Sequence, residues 1–479
     1  MSESPVRVLF MSERKGVYMS ASNRTIKAMM LSLALVSALL LAACGSPAAP
    51  AAEPTTAPEV AVEATVAPEA TAVPEATAEP TKAAEATTEP TKAAEATTEP
   101  TKAVEATATM VATVAATTAA TATKASMAAP TATTAAAVVA GEWEPRQLTA
   151  KLAGSGASFP NPLYQVWISV YTKNVVPGVQ LSYSSVGSGQ GQKDFIAYLT
   201  DFGGTDSAIK SADVESKAPD AMHLPMVMGG VMPMVNISGI KTALKFTPET
   251  LAGIYLGAIT NWNDPRIAKD NEGVAFPDLT ITPVYRSDSS GTTSIWTDYL
   301  SKVSADWKAK VGSGSAVSFP AGIGASGNAG VSATVLNTNG AVGYVEVGYA
   351  LAAGFPLPYV KNAAGNFVKP ETANVSAAAS GQNISTDPKK LAMSITNSPA
   401  PEAYPIAAFT YVLVRQSTYK DVTKAQALSD FLYWGLTTGQ GATVRLGYAP
   451  LPEAMRKASM AALKTMVVDG KPVLDAPVK

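Results

Sequence analysis

The chain has 479 residues, and its 36 Lys plus Arg against 38 Asp plus Glu leave it close to neutral, which excludes a general electrostatic footprint for nucleic acid or an anionic membrane surface. One cysteine, Cys44, excludes an intramolecular disulfide framework, and one histidine, His223, argues against a zinc site or a Ser/His catalytic pair. Any anion site must therefore be local, no cofactor or metal is expected, and His223 is read as structural.

In chain order, the residues before Met19 read as an overlong start, since Met11 and Met19 offer later initiation. From Arg24 and Lys27 the sequence passes into an uncharged apolar run, Ala28 to Leu41, and then Leu41-Ala42-Ala43-Cys44-Gly45, the pattern of an export signal with a small-residue cleavage site. The apolar run falls short of the roughly 20 residues needed to cross a bilayer. Between Gly45 and about Gly141 the chain is dominated by Ala, Thr, Pro and Glu, and Thr81 to Pro90 repeats unchanged as Thr91 to Pro100. With almost no aromatic or long aliphatic side chains and with regular prolines, this stretch cannot build a core and reads as a disordered tether. About 100 flexible residues reach roughly 50 to 60 Å. The composition also suits O-glycosylation.

After Trp143 the sequence becomes aromatic, apolar and punctuated by glycine, long enough for two domains. Strand signals such as Leu181-Ser182-Tyr183 and the alternating Leu279 to Tyr285 precede helix signals, which is α/β texture. Three loops share one design, a strand-like stretch, small residues, then a helix start. The first is Gly154-Ser155-Gly156-Ala157-Ser158-Phe159-Pro160, ahead of Leu163, Val166, Trp167, Val170 and Tyr171 at helical spacing. The second is Gly187-Ser188-Gly189-Gln190-Gly191, ahead of Phe195, Ile196 and Leu199. The third is Asp288-Ser289-Ser290-Gly291-Thr292, ahead of Trp296, Tyr299, Leu300 and Val303. Helix starts carry unpaired amides and partial positive charge, so three converging ends make a site for a small multivalent anion. Each loop alone reads equally as ordinary capping by Ser or Thr. Arg286 adds a guanidinium suited to bidentate contact with a tetrahedral oxyanion, and Asp288 can hold it in place; an isolated surface ion pair is the alternative.

The ordered series AGSGASFPNPLYQVW, VGSGQGQ, DFGGTD, IYLGAITNWNDPRIA, YRSDSSGTTSIWTDYL, GIGASGN and GAVGYVEVGYA resembles the substrate-binding proteins of bacterial phosphate-specific ABC transporters, over about two thirds of the chain, from near Leu152 to near Pro452. Leu41 to Cys44 resembles a lipobox, in which the cysteine becomes the first mature residue and carries acyl chains such as palmitate. The resemblance implies an α/β, two-lobed periplasmic-binding-protein (type II) fold with a hinge of two crossing strands, near Met226 to Ile237 and Tyr404 to Val414. The implied division is an extension and signal over 1–43, lipidated Cys44 and tether over 44–146, one lobe from 147–228 with 405–479, and the other from 229–404. The implied phosphate contacts are Ser158, Phe159 through its backbone, Ser188, Asp206, Arg286, Ser290, Gly291 and Thr292, with Asp288 orienting the arginine. Ser158 stands where relatives often have threonine, and Ser289 where glycine is common.

Asp206, on DFGGTD alone, reads as a cap or surface carboxylate as readily as a ligand contact. In an anion site an ionised Asp206 can accept phosphate's O–H, whereas sulfate offers no proton, so it discriminates between them. The implied partners are inorganic phosphate, the permease subunits of an ABC importer and the membrane reached through the lipid anchor, with the protein monomeric, extracytoplasmic and not an enzyme. A phosphatase using Ser290 or Ser158 lacks an accompanying histidine or metal cluster. A surface sensor or scavenger of phosphate stays open.

Overall fold

The computed structural model describes residues 143–477. The expected signal, Cys44 and the tether ahead of Trp143 lie outside the described residues. Among the described residues, no helix is long and apolar enough to cross a membrane.

The first glycine-punctuated stretch forms β1 (Ala150–Gly156), β2 (Val179–Ser185) and β3 (Phe202–Thr205), all parallel with β1 in the middle. Parallel neighbours require crossovers. These are supplied by α1 (Asn161–Val170) and α2 (Ser188–Ile196). The helix expected from Leu163, Trp167 and Tyr171 buries Leu163 and Trp167 together with Tyr164, and Tyr171, buried as well, lies just past its end, while Val166 is half-buried and Val170 is exposed. The second helix buries Phe195 but ends at Ile196, so Leu199 lies beyond it and is exposed. The chain turns there through Tyr198 at φ 58°.

The strands β4 (Ala221–Asn236), β5 (Thr282–Arg286), β6 (Ile323–Ala325), β7 (Ala341–Glu346) and β8 (Ala407–Arg415) extend the sheet to eight, in the order β2-β1-β3-β8-β4-β7-β5-β6. β4 has 16 residues and is buried along almost its whole length, as an apolar strand covered on both faces should be. Ala221 to Gly230 pair antiparallel with β8, and Val231 to Asn236 pair antiparallel with β7. One strand thus changes partner at Gly230/Val231 and carries the chain from the β1–β3 side to the β5–β7 side, while β8 returns it. These are the two crossing strands that the resemblance implies near Met226 to Ile237 and Tyr404 to Val414.

The strand expected from Leu279 begins only at Thr282. Upstream, Ile281 donates to the Thr260 carbonyl, and the Leu279 carbonyl accepts from Trp262. Those residues are held by the Trp262 loop instead of the sheet. The Trp262 indole in turn donates to the Gly340 carbonyl (2.9 Å).

Two helices complete the frame of the cleft, α3 (Gly291–Val303) after β5 and α4 (Gly327–Asn337) after β6. α3 buries Trp296, Tyr299 and Leu300 as its periodicity predicts, with Val303 half-buried. His223 on β4 accepts a hydrogen bond from the Ile209 amide (3.0 Å), and burial pushes its pKa down to about 4, so it serves as a neutral acceptor.

The folded unit reaches further toward the N-terminus than the sequence reading placed it. Trp143 packs edge-on against Tyr433 at 4.4 Å between ring centroids. The Arg146 guanidinium grips the fully buried Asp430 through Nε (2.9 Å) and Nη2 (2.5 Å), and Nη2 also reaches the Val473 carbonyl (2.6 Å). Trp143 and Arg146 fall within the 44–146 span that the sequence reading gives to the tether. Pairing is what makes a buried carboxylate tolerable, and losing one partner of a fully buried pair costs about 3 to 5 kcal/mol. Arg146 keeps some solvent contact, so Arg146→Ala should destabilise the protein by about 2 to 4 kcal/mol. Urea unfolding measures this, and a transition unchanged in midpoint and slope would show that Asp430 does not depend on Arg146.

Candidate functional site

On the β1–β3 side, the chain leaves β1 through Gly156 at φ 145°, where a Cβ would run into the Gly204 backbone. Ser158 and Phe159 follow, just ahead of α1. Ser158 Oγ does not cap that helix. It instead accepts from the Asn328 amide (3.1 Å) and from Asn328 Nδ2 (3.0 Å), across the cleft. The Ser158 carbonyl accepts from Tyr349 Oη (2.6 Å), and the Phe159 carbonyl accepts from Tyr448 Oη (2.7 Å). Ser188 opens α2, and its Oγ accepts from the Gly291 amide (3.0 Å) and the Asp206 amide (3.3 Å). Two of the three loop hydroxyls therefore have partners that ordinary capping does not provide.

Asp206 lies just past β3 and is buried. Its Oδ1 accepts from Thr410 Oγ1 on β8 (2.7 Å), and its Oδ2 faces Ser188 Oγ at 3.4 Å. Burial pushes its pKa from 3.8 up to about 7, against the opposing pull of the Thr410 hydrogen bond, the Arg286 charge and Ser188. The sequence reading takes Asp206 as an ionised, acceptor-only group at neutral pH; burial instead brings its titration up to about 7, so neutral and ionised forms coexist there.

On the β5–β7 side, Arg286 ends β5 with its guanidinium almost wholly buried. Nε donates to Asp288 Oδ1 (2.7 Å), Nη2 donates to Asp288 Oδ2, and Nη1 points at Thr292 Oγ1 (3.4 Å). This is the fork-to-carboxylate geometry of a bidentate pair, so Asp288 orients the arginine. Burial raises the Asp288 pKa, but the Arg286 hydrogen bond and charge, with the Gly327 amide (3.0 Å), outweigh that and hold the carboxyl below its ordinary value. Arg286 keeps donors that Asp288 does not use, since a guanidinium carries five N–H bonds.

The third loop follows directly. Ser290 does what the capping alternative expected, accepting from the Thr293 amide (3.1 Å) at the start of α3. Gly291 abuts Ser188 and Asp206 so closely that a Cβ there would overlap both. Only glycine lets this helix start come so near the opposite loop. Ser289 avoids positive φ, since the non-glycine residues with positive φ among the described residues are Tyr198, Asn397 and Asp469. Its carbonyl accepts from the Gly189 amide (3.0 Å), another contact across the cleft.

Of the expected contact residues, Ser158, Ser188, Asp206, Arg286, Gly291 and Thr292 are joined in one buried network between the two halves of the sheet, through Ser188–Gly291, Ser188–Asp206, Ser158–Asn328–Thr292 and Arg286–Thr292 contacts, while Phe159 and Ser290 adjoin it in the chain and bond to Tyr448 and Thr293. Several participants were not singled out from the sequence. Thr410 comes from the returning strand. Tyr344 accepts from the Arg286 amide (3.0 Å) and shares a hydrogen bond with Thr293 (2.7 Å). Asn328 bridges Ser158 and Thr292. Glu346 is fully buried, and burial drives its pKa well above the carboxylate range. A polar residue inside an otherwise apolar strand, as in Val345-Glu346-Val347, was the available signal for the last. Among the described residues, no cluster of three or more His, Cys, Asp or Glu is placed to hold a metal ion.

Residues 132–437 match the PBP superfamily domain. The chain is 40% identical over 324 residues to phosphate-binding protein PstS of Pasteurella multocida (strain Pm70), covering 67% of this chain and 92% of that one. It is 38% identical over 330 residues to phosphate-binding protein PstS of Methanocaldococcus jannaschii, covering 64% and 84%. In fold it is similar to a high affinity periplasmic phosphate-binding protein (PfluDING) solved with bound phosphate, with a TM-score of 0.52, 24% identity, and coverage of 64% of this chain and 92% of that one. With its site geometry and these likenesses taken together, the chain belongs to the PBP superfamily and, within it, to the family of PstS phosphate-binding proteins.

Proposed function

We propose that this protein binds inorganic phosphate outside the cytoplasmic membrane and delivers it to an ABC importer, acting as a monomeric binding protein and not as an enzyme. The observation that carries the reading is the meeting of two helix starts, three hydroxyls and a clamped guanidinium with one buried carboxyl, all drawn from both sides of a two-strand hinge. Donors in that number match a tetrahedral oxyanion. The carboxyl matches an oxyanion that still carries a proton.

In this reading phosphate lies between Ser158, Phe159, Ser188 and Asp206 on one lobe and Arg286, Ser290, Gly291 and Thr292 on the other. The lobes are 147–228 with 405–479, extended at the start to include Arg146, and 229–404. Ligand that uses donors from both lobes favours the closed arrangement by its differential contacts, and an importer can read closure as occupancy. The tether and an acylated Cys44 would hold this receptor at the outer side of the membrane, a reading supported by the lipobox-like sequence.

Arg286→Ala should weaken phosphate binding by roughly 2 to 5 kcal/mol, about 30-fold to several thousand-fold, because it removes one partner of a buried charge-assisted contact. Calorimetry measures this on protein checked for cooperative unfolding, and an unchanged dissociation constant removes Arg286 from the site.

The titration of Asp206 sets how selectivity depends on pH. Phosphate brings its own proton to the shared contact, whereas sulfate is tolerated only when Asp206 itself is protonated. Above about pH 7, protonating Asp206 for sulfate costs a factor of up to about ten per pH unit. The phosphate-to-sulfate affinity ratio of the parent should therefore climb with pH in that range. In Asp206→Asn it should be lower and independent of that titration. Competition calorimetry at constant ionic strength tests this; a parent ratio that stays flat from neutral to alkaline pH would rule out proton reading by Asp206.

Cys44→Ala should release the protein from the membrane fraction. If the variant remains acylated and as firmly membrane-bound as the parent, the lipid anchor is wrong.

A further inference from the structure

Asn328 opens α4 and is fully buried between the two lobes. Its Oδ1 accepts from the Glu346 backbone amide (2.9 Å). A backbone N–H can only donate, so the side-chain oxygen must face Glu346 and the NH2 group must face the cleft. There, Nδ2 donates to Ser158 Oγ (3.0 Å) and to Thr292 Oγ1 (3.0 Å). The Asn328 backbone amide donates to the same Ser158 Oγ (3.1 Å), again a bond of fixed direction.

A hydroxyl has two lone pairs and one proton. Ser158 Oγ receives two N–H bonds from Asn328, which occupies both lone pairs. Thr292 Oγ1 receives one from Asn328 and a longer one from Arg286 Nη1 (3.4 Å). Each hydroxyl is left with donation as its remaining role. We propose that Asn328 is a positioning residue that fixes Ser158 and Thr292 as hydrogen-bond donors toward an oxyanion in the cleft, and ties the loop of one lobe to the helix start of the other as it does so. The proposal rests on the phosphate reading above. It also sharpens that reading, because with both hydroxyls committed to donating, neither competes with the Asp206 carboxylate as acceptor for the anion's proton.

The test is calorimetric titration with inorganic phosphate of the full-length parent, Asn328→Ala, the Ser158→Ala/Thr292→Val double variant, and the triple variant. Asn328→Ala should weaken binding about 10- to 100-fold, the loss expected for one or two hydrogen bonds to a charged group. In the background lacking both hydroxyls, the same substitution should cost less than about threefold, since its two targets are gone. Equal losses in both backgrounds overturn the proposal, because a residue acting only through general packing gives that result. Asn328→Asp keeps the volume and the bond from Glu346 but replaces the donor with an acceptor; parent-like affinity in this variant also overturns it, and it covers the case in which Asn328→Ala does not fold.

The NMR signal of the Asn328 side-chain amide, identified by its disappearance in Asn328→Ala, supplies a readout independent of ligand. Slow hydrogen exchange that quickens in Ser158→Ala supports the link, and exchange as fast as that of an exposed asparagine refutes it. A parent that binds no phosphate overturns the phosphate reading itself, and the orientation of the hydroxyls by Asn328 is then decided by the NMR result alone.

Discussion

The buried guanidinium of Arg286 is the group around which the cleft is organised. A cation taken out of water is costly unless it is paired and hydrogen-bonded. Asp288 meets that demand in fork geometry. It is itself held by the Gly327 amide at the end of the next strand-to-helix connection. The Arg286 backbone is fixed by Tyr344, whose ring stacks on Trp296 of α3 at 5.1 Å between centroids. The aromatic core of one lobe therefore determines where the positive charge points. Asp288 occupies only part of the guanidinium, and Nη1 is turned toward Thr292 in the cleft.

The opposite wall answers this charge with a carboxyl that burial keeps near the point of titration. Asp206 sits between a hydroxyl from the returning strand, Thr410, and Ser188 on α2. It is thereby tied to the hinge, since β8 and β4 are the strands by which the lobes are joined. Without the change of pairing partner at Gly230/Val231, the Asp206 side and the Arg286 side would belong to unconnected sheets. Across the cleft, the hinge leaves hydrogen bonds between loops and helix starts, among them Ser188 with Gly291, Gly189 with Ser289, and Ser158 with Asn328 and Tyr349.

Much of the local architecture could be read directly from the residues. The three glycine-serine loops, the helices behind them and the apolar β4 follow from short-range rules: glycine where a Cβ would collide, small polar residues at helix starts, and apolar residues at helical or strand spacing. The glycine-serine loops and Arg286 beside Asp288 were legible as a candidate anion site from residue type alone, whereas the selection of Ser158, Ser188, Asp206 and Thr292 as contacts came from the family resemblance. The misreadings were also local in origin. Leu279 to Ile281 alternate as a strand should, yet pair with the Trp262 loop, and Leu199 continues a helical pattern past a turn that has already ended the helix. Trp143 and Arg146 looked like the end of a tether because their partners, Tyr433 and Asp430, lie more than 280 residues away.

The sequence by itself determined which groups could serve an anion site, the α/β character of the folded region, and the absence of a disulfide framework, because these depend on residue identity and on neighbours within one turn or strand. Only the tertiary structure decided that Asp206 titrates near neutrality, that Ser158 and Ser188 are engaged across the cleft while Ser290 caps its own helix, and that Asn328 joins the two lobes. The reason is that a pKa is set by how much water is removed, and a hydroxyl's direction by which donors reach it, and both are supplied by segments far apart along the chain.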